Sequence, residues 1–182
     1  TAGTTQETLE REITKYLLKY GHMDIVIEEG RESLTYNIAT YIFDELDADG
    51  LSLEISPYNA IVAAYRAEWE RVGEGVEVSP HIFINHHDAL VSKASIDLLT
   101  SDDSYVISKI WEQKEVHLAT DEEQLSEGVP KVVVLFKWRT LDKHMAELQR
   151  RMAEDDDSNI IQTFAKYQAA RVAIAKKVGR LI

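Results

Sequence analysis

Apolar residues recur at helical spacing along most of the chain, and short polar or glycine-containing breaks separate the repeats. The first repeat places these apolar side chains on one helix face: Leu9, Ile13, Tyr16, Leu17 and Tyr20. Thr4 and Glu7 before it have the spacing of a capping box, and Gly21 follows as a stop signal. This pattern predicts a helix that begins after Thr4 and ends at Gly21.

Further helices are predicted from start and stop signals in the body of the chain. Ser33 opens one that carries Ile38, Ile42 and Leu46 and ends at Gly50. The pairs Ser56-Pro57 and Ser79-Pro80 each supply an N-cap followed by proline at the first helical position.

Two more helices and a short turn or hairpin complete this part. Asp88 is the predicted cap of a helix over residues 90–99, and the Ser101/Asp102/Asp103 group caps one over residues 105–114. The segment from Met23 to Ile27 alternates as a strand does, but it is short, so a turn or a small hairpin is predicted there.

The last third of the chain carries two longer repeats with heptad-like spacing. The first consists of Val134, Trp138, Leu141, Met145, Leu148 and Met152. After an acidic break at residues 154–157, the second consists of Ile160, Phe164, Tyr167, Arg171, Ile174, Val178 and Leu181. Two such seams joined by a short polar loop predict an antiparallel helical hairpin.

Together these elements predict an all-α fold, in which an N-terminal helical bundle is followed by a long helix and a C-terminal antiparallel helical hairpin. The boundary is placed at Gly128 and Pro130, so that residues 1–128 form the bundle and residues 129–182 form the long helix and hairpin. A hairpin of two helices cannot bury both apolar faces by itself. Part of each seam must therefore meet the bundle, a partner or another copy.

Charge is distributed unevenly between these two parts. Residues 1–130 hold 9 Lys/Arg against 26 Asp/Glu, a net charge of −17, whereas residues 131–182 hold 11 against 6, a net charge of +5. An acidic body repels phosphate backbones, so direct nucleic-acid binding is not expected of it. The basic terminus is a separate surface that suits an acidic partner or solvent.

The absence of cysteine removes disulfides, thiolate metal sites and thiol nucleophiles from consideration. A chain of 182 residues can bury a sufficient core without them. No apolar run approaches the roughly 20 residues that a membrane-spanning helix needs. We expect a cytoplasmic protein without membrane contact and, because the chain opens at Thr1 rather than at methionine, a fragment of a longer protein.

One cluster suggests an alternative function, a metal-dependent phosphohydrolase built on His86, His87 and Asp88. Adjacent imidazole and carboxylate groups can share one divalent ion, but such a site needs further ligands from other helices. The remaining histidines lie in no matching motif. The plainer interpretation is that Asp88 caps a helix and the histidines are partly exposed.

Other catalytic signals fail on spacing. If Gly50 occupied the glycine position of a calcium loop, Ser56 would stand where the bidentate glutamate is required. No glycine-rich phosphate loop and no nucleophile elbow occurs. We therefore expect no catalytic residues, no metal and no cofactor in this chain.

The terminal helix supports two interpretations. From Ser158 to Ile182 there are five basic residues and no acidic one. Such a segment is either an ordinary terminal helix with cations near its carboxyl end, or a helix whose apolar face docks on a partner while its basic face steers the approach. The candidate partner-binding residues are Tyr167, Arg171, Ile174, Lys177, Val178, Arg180, Leu181 and Ile182.

Short segments spread along nearly the whole chain add a further signal. They are Leu17-Leu18-Lys19-Tyr20-Gly21, Ile38 to Leu46, Phe83-Ile84-Asn85-His86, Val91-Ser92-Lys93, Asp97-Leu98-Leu99, Tyr105 to Glu112, Val129-Pro130-Lys131 opening the long helix, and Gly179-Arg180-Leu181-Ile182. In this order they resemble the C-terminal helicase-binding domain of bacterial DNA primase. Residues 23–33 and 76–80 do not align with that pattern.

The resemblance implies a function as well as a fold. It implies a bundle near residues 5–120 that is similar to the amino-terminal domain of the replicative helicase, and a terminal hairpin that docks on the amino-terminal collar of the hexameric helicase. In that family the zinc module and the polymerase domain that make primers lie elsewhere in the protein. We therefore expect a non-catalytic domain that recruits primer synthesis to the replication fork and modulates the helicase.

Overall fold

The computed structural model describes residues 5–101, 121–155 and 157–181, and the chain is mostly α-helical, as predicted. The elements in chain order are α1 (Gln6–Tyr20), β1 (Asp24–Glu29), β2 (Glu32–Asn37), α2 (Ile38–Ala48), α3 (Tyr58–Val72), α4 (His81–Ile84), α5 (Ala89–Thr100), α6 (Asp121–Glu154) and α7 (Ser158–Leu181). The helix predicted over residues 105–114 lies outside the described residues.

Helix α1 is the centre of the bundle. Its apolar positions Leu9, Ile13 and Leu17 recur every four residues, and all three are fully buried. Helices α2, α3, α5 and α6 all pack against α1. The predicted amphipathic stripe of the first helix is therefore confirmed, and it organises the core.

The N-termini of these helices differ in detail from the predicted caps. Thr5 caps α1 by accepting a hydrogen bond from the backbone N–H of Thr8, while Thr4 lies outside the described residues. Pro57 and Pro80 themselves occupy the N-cap positions of α3 and α4, so the predicted serine caps before them are wrong by one residue.

The prediction that a helix begins at Ser33 is wrong. Ser33 lies in strand β2, which pairs antiparallel with β1 through a two-residue turn at Gly30 and Arg31. Gly30 has a φ of 67°, a left-handed conformation that glycine adopts without steric cost. The small hairpin predicted near residues 23–27 is present, and α2 begins only after its cap, Asn37.

Helix α6 starts well before the position predicted for the long helix. Pro130 lies inside α6 rather than at its opening, nine residues after Asp121. A proline within a helix removes one backbone hydrogen bond, and here Val129, Pro130 and Val133 are buried around that point. The division at residues 128 and 129 therefore falls within one continuous helix.

The second half of α6 and helix α7 form the predicted antiparallel hairpin. Leu141 and Leu148 of α6 and Ile160 and Ile174 of α7 are buried, which matches the two predicted seams. Among the described helices, none combines the length and the apolar character that crossing a bilayer requires.

Candidate docking site on the terminal hairpin

The predicted docking stripe of α7 faces inward. Ile174 is 3% exposed and belongs to the hydrophobic core, and Tyr167 and Val178 are half-buried against the same core. These side chains cover the apolar seam of α6 and pack against the core in this structure. Arg180, Leu181 and Ile182 lie outside the residues whose side chains are described.

Arg171 also has its partners within the hairpin. Its guanidinium bonds the carboxylate of Asp142 on α6 and lies over the ring of Trp138, 4.3 Å from the ring centroid. A guanidinium that stacks on an aromatic face while it pairs with a carboxylate uses both its planar surface and its charge. Arg171 therefore joins α7 to α6 in this structure.

Lys177 belongs to a cluster of four charges, which we call the Glu45 cluster and which consists of Glu45, Asp49, Lys137 and Lys177. Buried Lys137 donates to Glu45 at 2.9 Å and pairs with Asp49 at 2.6 Å. Lys177 approaches the two oxygens of Glu45 at 3.4 and 3.5 Å. The cluster thus links the end of α2 to both helices of the hairpin.

The charges in this cluster determine the protonation of Glu45. Burial acts to raise the pKa of the Glu45 carboxyl, but the hydrogen bond and charge of Lys137, together with Lys177, outweigh burial and hold the pKa below its ordinary value. Glu45 is therefore ionised at neutral pH, and buried Lys137 has two carboxylates as counter-ions.

A second network ties the middle of the hairpin to the bundle through Glu54, in the loop between α2 and α3. Lys143 donates to Glu54 at 2.6 Å, and the Nε2 of His144 lies 2.5 Å from the other carboxylate oxygen. Burial acts to raise the pKa of Glu54, but these two hydrogen bonds and charges lower it overall. The His144 ring also contacts Tyr167, with ring centroids 5.8 Å apart.

Glu10 positions this loop, and none of the sequence patterns predicts this role. Its carboxylate is completely buried and accepts hydrogen bonds from the backbone N–H groups of Glu54, at 2.9 Å, and Ile55, at 2.7 Å. The available signal was an acidic residue adjacent to Leu9 on the apolar face of α1. A charged group at such a position must be paired or hydrogen-bonded.

The outer face of α7 carries a second set of apolar residues. Ile161 and Val172 are 47% and 56% exposed, and they lie eleven residues apart, which is about three helical turns. Lys176, one turn beyond Val172, is also exposed. Single exposed apolar residues are common, but here they share a face with a cation on a helix that has no acidic residue.

The cluster suggested as a metal site is occupied by local capping interactions. The Asp88 carboxylate accepts a hydrogen bond from the backbone N–H of Leu90 at 2.9 Å, which confirms Asp88 as the cap of α5. The backbone N–H of Asp88 donates to Nδ1 of His86, and the rings of His86 and His87 stack 4.3 Å apart. Within the described ranges, no three His, Asp or Glu side chains are grouped so that they could hold a metal ion.

Comparison with known proteins gives a family without an assigned activity. No curated protein and no solved structure matches the chain. Residues 1–181 match the model of the family described as "Domain of unknown function (DUF8430)". Because this match covers nearly the whole chain, the protein belongs to the DUF8430 family.

Proposed function

We propose that this chain is a non-catalytic docking domain of the bacterial primase type, which binds the N-terminal domains of the hexameric replicative helicase. Through this contact it recruits primer synthesis to the replication fork and modulates the helicase, and both partners act in the cytoplasm. Two features support the proposal: the order of elements and the surface of α7.

The order of elements agrees with the fold that the resemblance to the primase helicase-binding domain implies. A helical bundle centred on α1 is followed by the long helix α6 and then by α7, which folds back on α6. Most of the quoted segments fall in the described helices, and Leu17 to Gly21 and Ile38 to Leu46 contribute directly to the bundle core.

The observation that carries the proposal is the outer face of α7. Ile161 and Val172 remain exposed there although the inner face of the same helix already covers α6. An apolar face with a flanking cation, Lys176, suits helix-on-helix docking against a surface that is apolar with an acidic rim. The acidic bundle of the chain repels the acidic rim of such a partner, and this repulsion favours approach of the partner at the hairpin.

The test is binding of the purified chain to a replicative helicase from the same cell. We expect the two proteins to co-elute. Val172→Asp should weaken binding about tenfold or more, because burial of a valine is lost and a charge is desolvated. Leu90→Asp, an equally apolar-to-acidic change at a 66% exposed site on α5, is the matched control and should bind as the parent chain does.

Three results would contradict the proposal. Absence of any helicase binding by the folded parent chain would overturn it outright. An equal loss with Val172→Asp and Leu90→Asp would move the docking surface away from α7. Template-dependent ribonucleotide incorporation by this chain alone would contradict its non-catalytic role.

A further inference from the structure

The Glu45 cluster holds the far end of α7 against the bundle. Among the described side chains of α7, Arg171 pairs with Asp142 inside the hairpin, whereas Lys177 pairs with Glu45 on α2. Ile174 lies three residues before Lys177 and is buried in the core. The Lys177–Glu45 contact is therefore placed to add to the packing that keeps the distal inner stripe of α7, at Ile174 and Val178, covered.

The two lysines of the cluster differ in how firmly they are held. The Lys137 side chain is 4% exposed and has two carboxylate partners at 2.6 and 2.9 Å, so its removal from them would leave a buried charge unpaired. The Lys177 side chain is 51% exposed, and its contacts to Glu45 are longer. Water can therefore replace Glu45 around Lys177, while Glu45 and Asp49 remain paired with Lys137.

We propose that the Lys177–Glu45 pair is a releasable latch, which an acidic group of the partner opens by competing with Glu45 for Lys177. Release favours opening of the end of α7 beyond Arg171, and this opening adds Ile174 and Val178 to the docking surface. In the free chain the bundle supplies the carboxylate that the partner would supply in the complex. The latch itself is a property of the free chain, whereas the competing partner rests on the proposed function.

The first experiment measures hydrogen exchange of the free chain at residue resolution, with Lys177→Gln as the test. An exposed ion pair contributes at most about 1 kcal/mol, so its loss should raise the open population, and the exchange rate of amides 171–179, about two- to fivefold. Amides of α1 and α2 should not change. Lys166→Gln is the matched control, because Lys166 is an exposed lysine on the same flank of α7, three turns before Lys177.

Equal exchange in the two variants would overturn the latch, and so would a complete lack of protection at these amides in the parent chain. High salt offers an independent check because it screens exposed pairs. It should accelerate exchange near Lys177 more in the parent chain than in Lys177→Gln, because the exposed Arg171–Asp142 pair is screened equally in both. An identical salt response of both would contradict the proposal.

The second experiment uses Glu45→Gln, which opens the latch from the bundle side and leaves Lys177 available to a partner. Lys137 keeps Asp49 as a counter-ion, and unchanged exchange in α1 would show that the bundle stays folded. This variant should bind the helicase about two- to fivefold more tightly, since the competing carboxylate is gone. Equal or weaker binding would overturn the regulatory role. If no variant binds the helicase, the proposed function and the regulatory role fail together, while the exchange rates still decide the latch.

Discussion

Arg171 of α7 lies over the ring of Trp138 of α6, with its guanidinium carbon 4.3 Å from the ring centroid. The same guanidinium pairs with Asp142, one helical turn along α6 from Trp138. A residue that was predicted to contact a partner protein thus holds the hairpin together. This relationship separates the two faces of α7, because the inner face has internal partners and the outer face keeps Ile161 and Val172 exposed.

The hairpin should be less protected from hydrogen exchange than the bundle. Beyond residue 150 the two helices of the hairpin pack mainly on each other, whereas α1 is surrounded by other helices. Native-state exchange should therefore be faster for amides after residue 150 than for those of α1. Uniform protection would mean that the chain unfolds as one unit, and the predicted division at residues 128 and 129 would then be wrong.

Gly21 should not tolerate a side chain. A Cβ at this position would lie 2.1 Å from the Tyr65 hydroxyl and 2.6 Å from the Leu17 carbonyl oxygen. Because Tyr65 is buried and the carbonyl belongs to the backbone, neither can move freely, and Gly21→Ala should lower the free energy of unfolding by about 1–3 kcal/mol.

Gly179→Ala is the control for Gly21→Ala, and chemical denaturation measures the free energy of unfolding of both variants. A Cβ at Gly179 would meet nothing within 4 Å, and alanine favours a helix over glycine, so its effect should be neutral or stabilising by up to about 1 kcal/mol. A similar loss of stability in both variants would show that the contact at Gly21 is not the cause.

Removal of the Glu10 carboxylate should destabilise the bundle. Glu10→Ala would leave the backbone N–H groups of Glu54 and Ile55 without their acceptor and should cost about 2–4 kcal/mol in urea denaturation. Glu10→Gln should also destabilise, because an amide nitrogen cannot accept a hydrogen bond. The exposed Glu7→Ala on the same helix should cost less than about 1 kcal/mol, and an equal loss there would refute this role of Glu10.

The Glu45 cluster should make stability depend on pH in the acid range. Since the pKa of Glu45 is lower in the folded chain than its ordinary value of 4.5, the folded state favours the ionised carboxyl. Its contribution is complete above that ordinary value and is lost as the pH falls through the lower folded-state pKa. The difference in unfolding free energy between the parent chain and Glu45→Gln, measured from pH 7 to pH 3, should be constant at first and then shrink. A difference that did not change with pH would contradict this assignment.

The sequence by itself determined the helical class, the central stripe of α1 and the two seams of the hairpin. Leu9, Ile13 and Leu17, like Leu141 and Leu148, recur at spacings that place them on one helix face, and this depends only on local chain geometry. The cap at Asp88 was equally visible, because a capping side chain bonds a backbone group two residues away.

Only the tertiary structure decided the rest. The local signal at Ser33 predicts a helix start, but Ser33 is a strand residue, because its pairing depends on the fold of the whole β1–β2 hairpin. Pro130 stays inside α6 because its surroundings are buried against the bundle. The partners of Lys177 and Glu10 lie 132 and 44 residues away along the chain. Spacing along a sequence reports which side chains share a face, but ion pairs and covered surfaces depend on which distant faces meet.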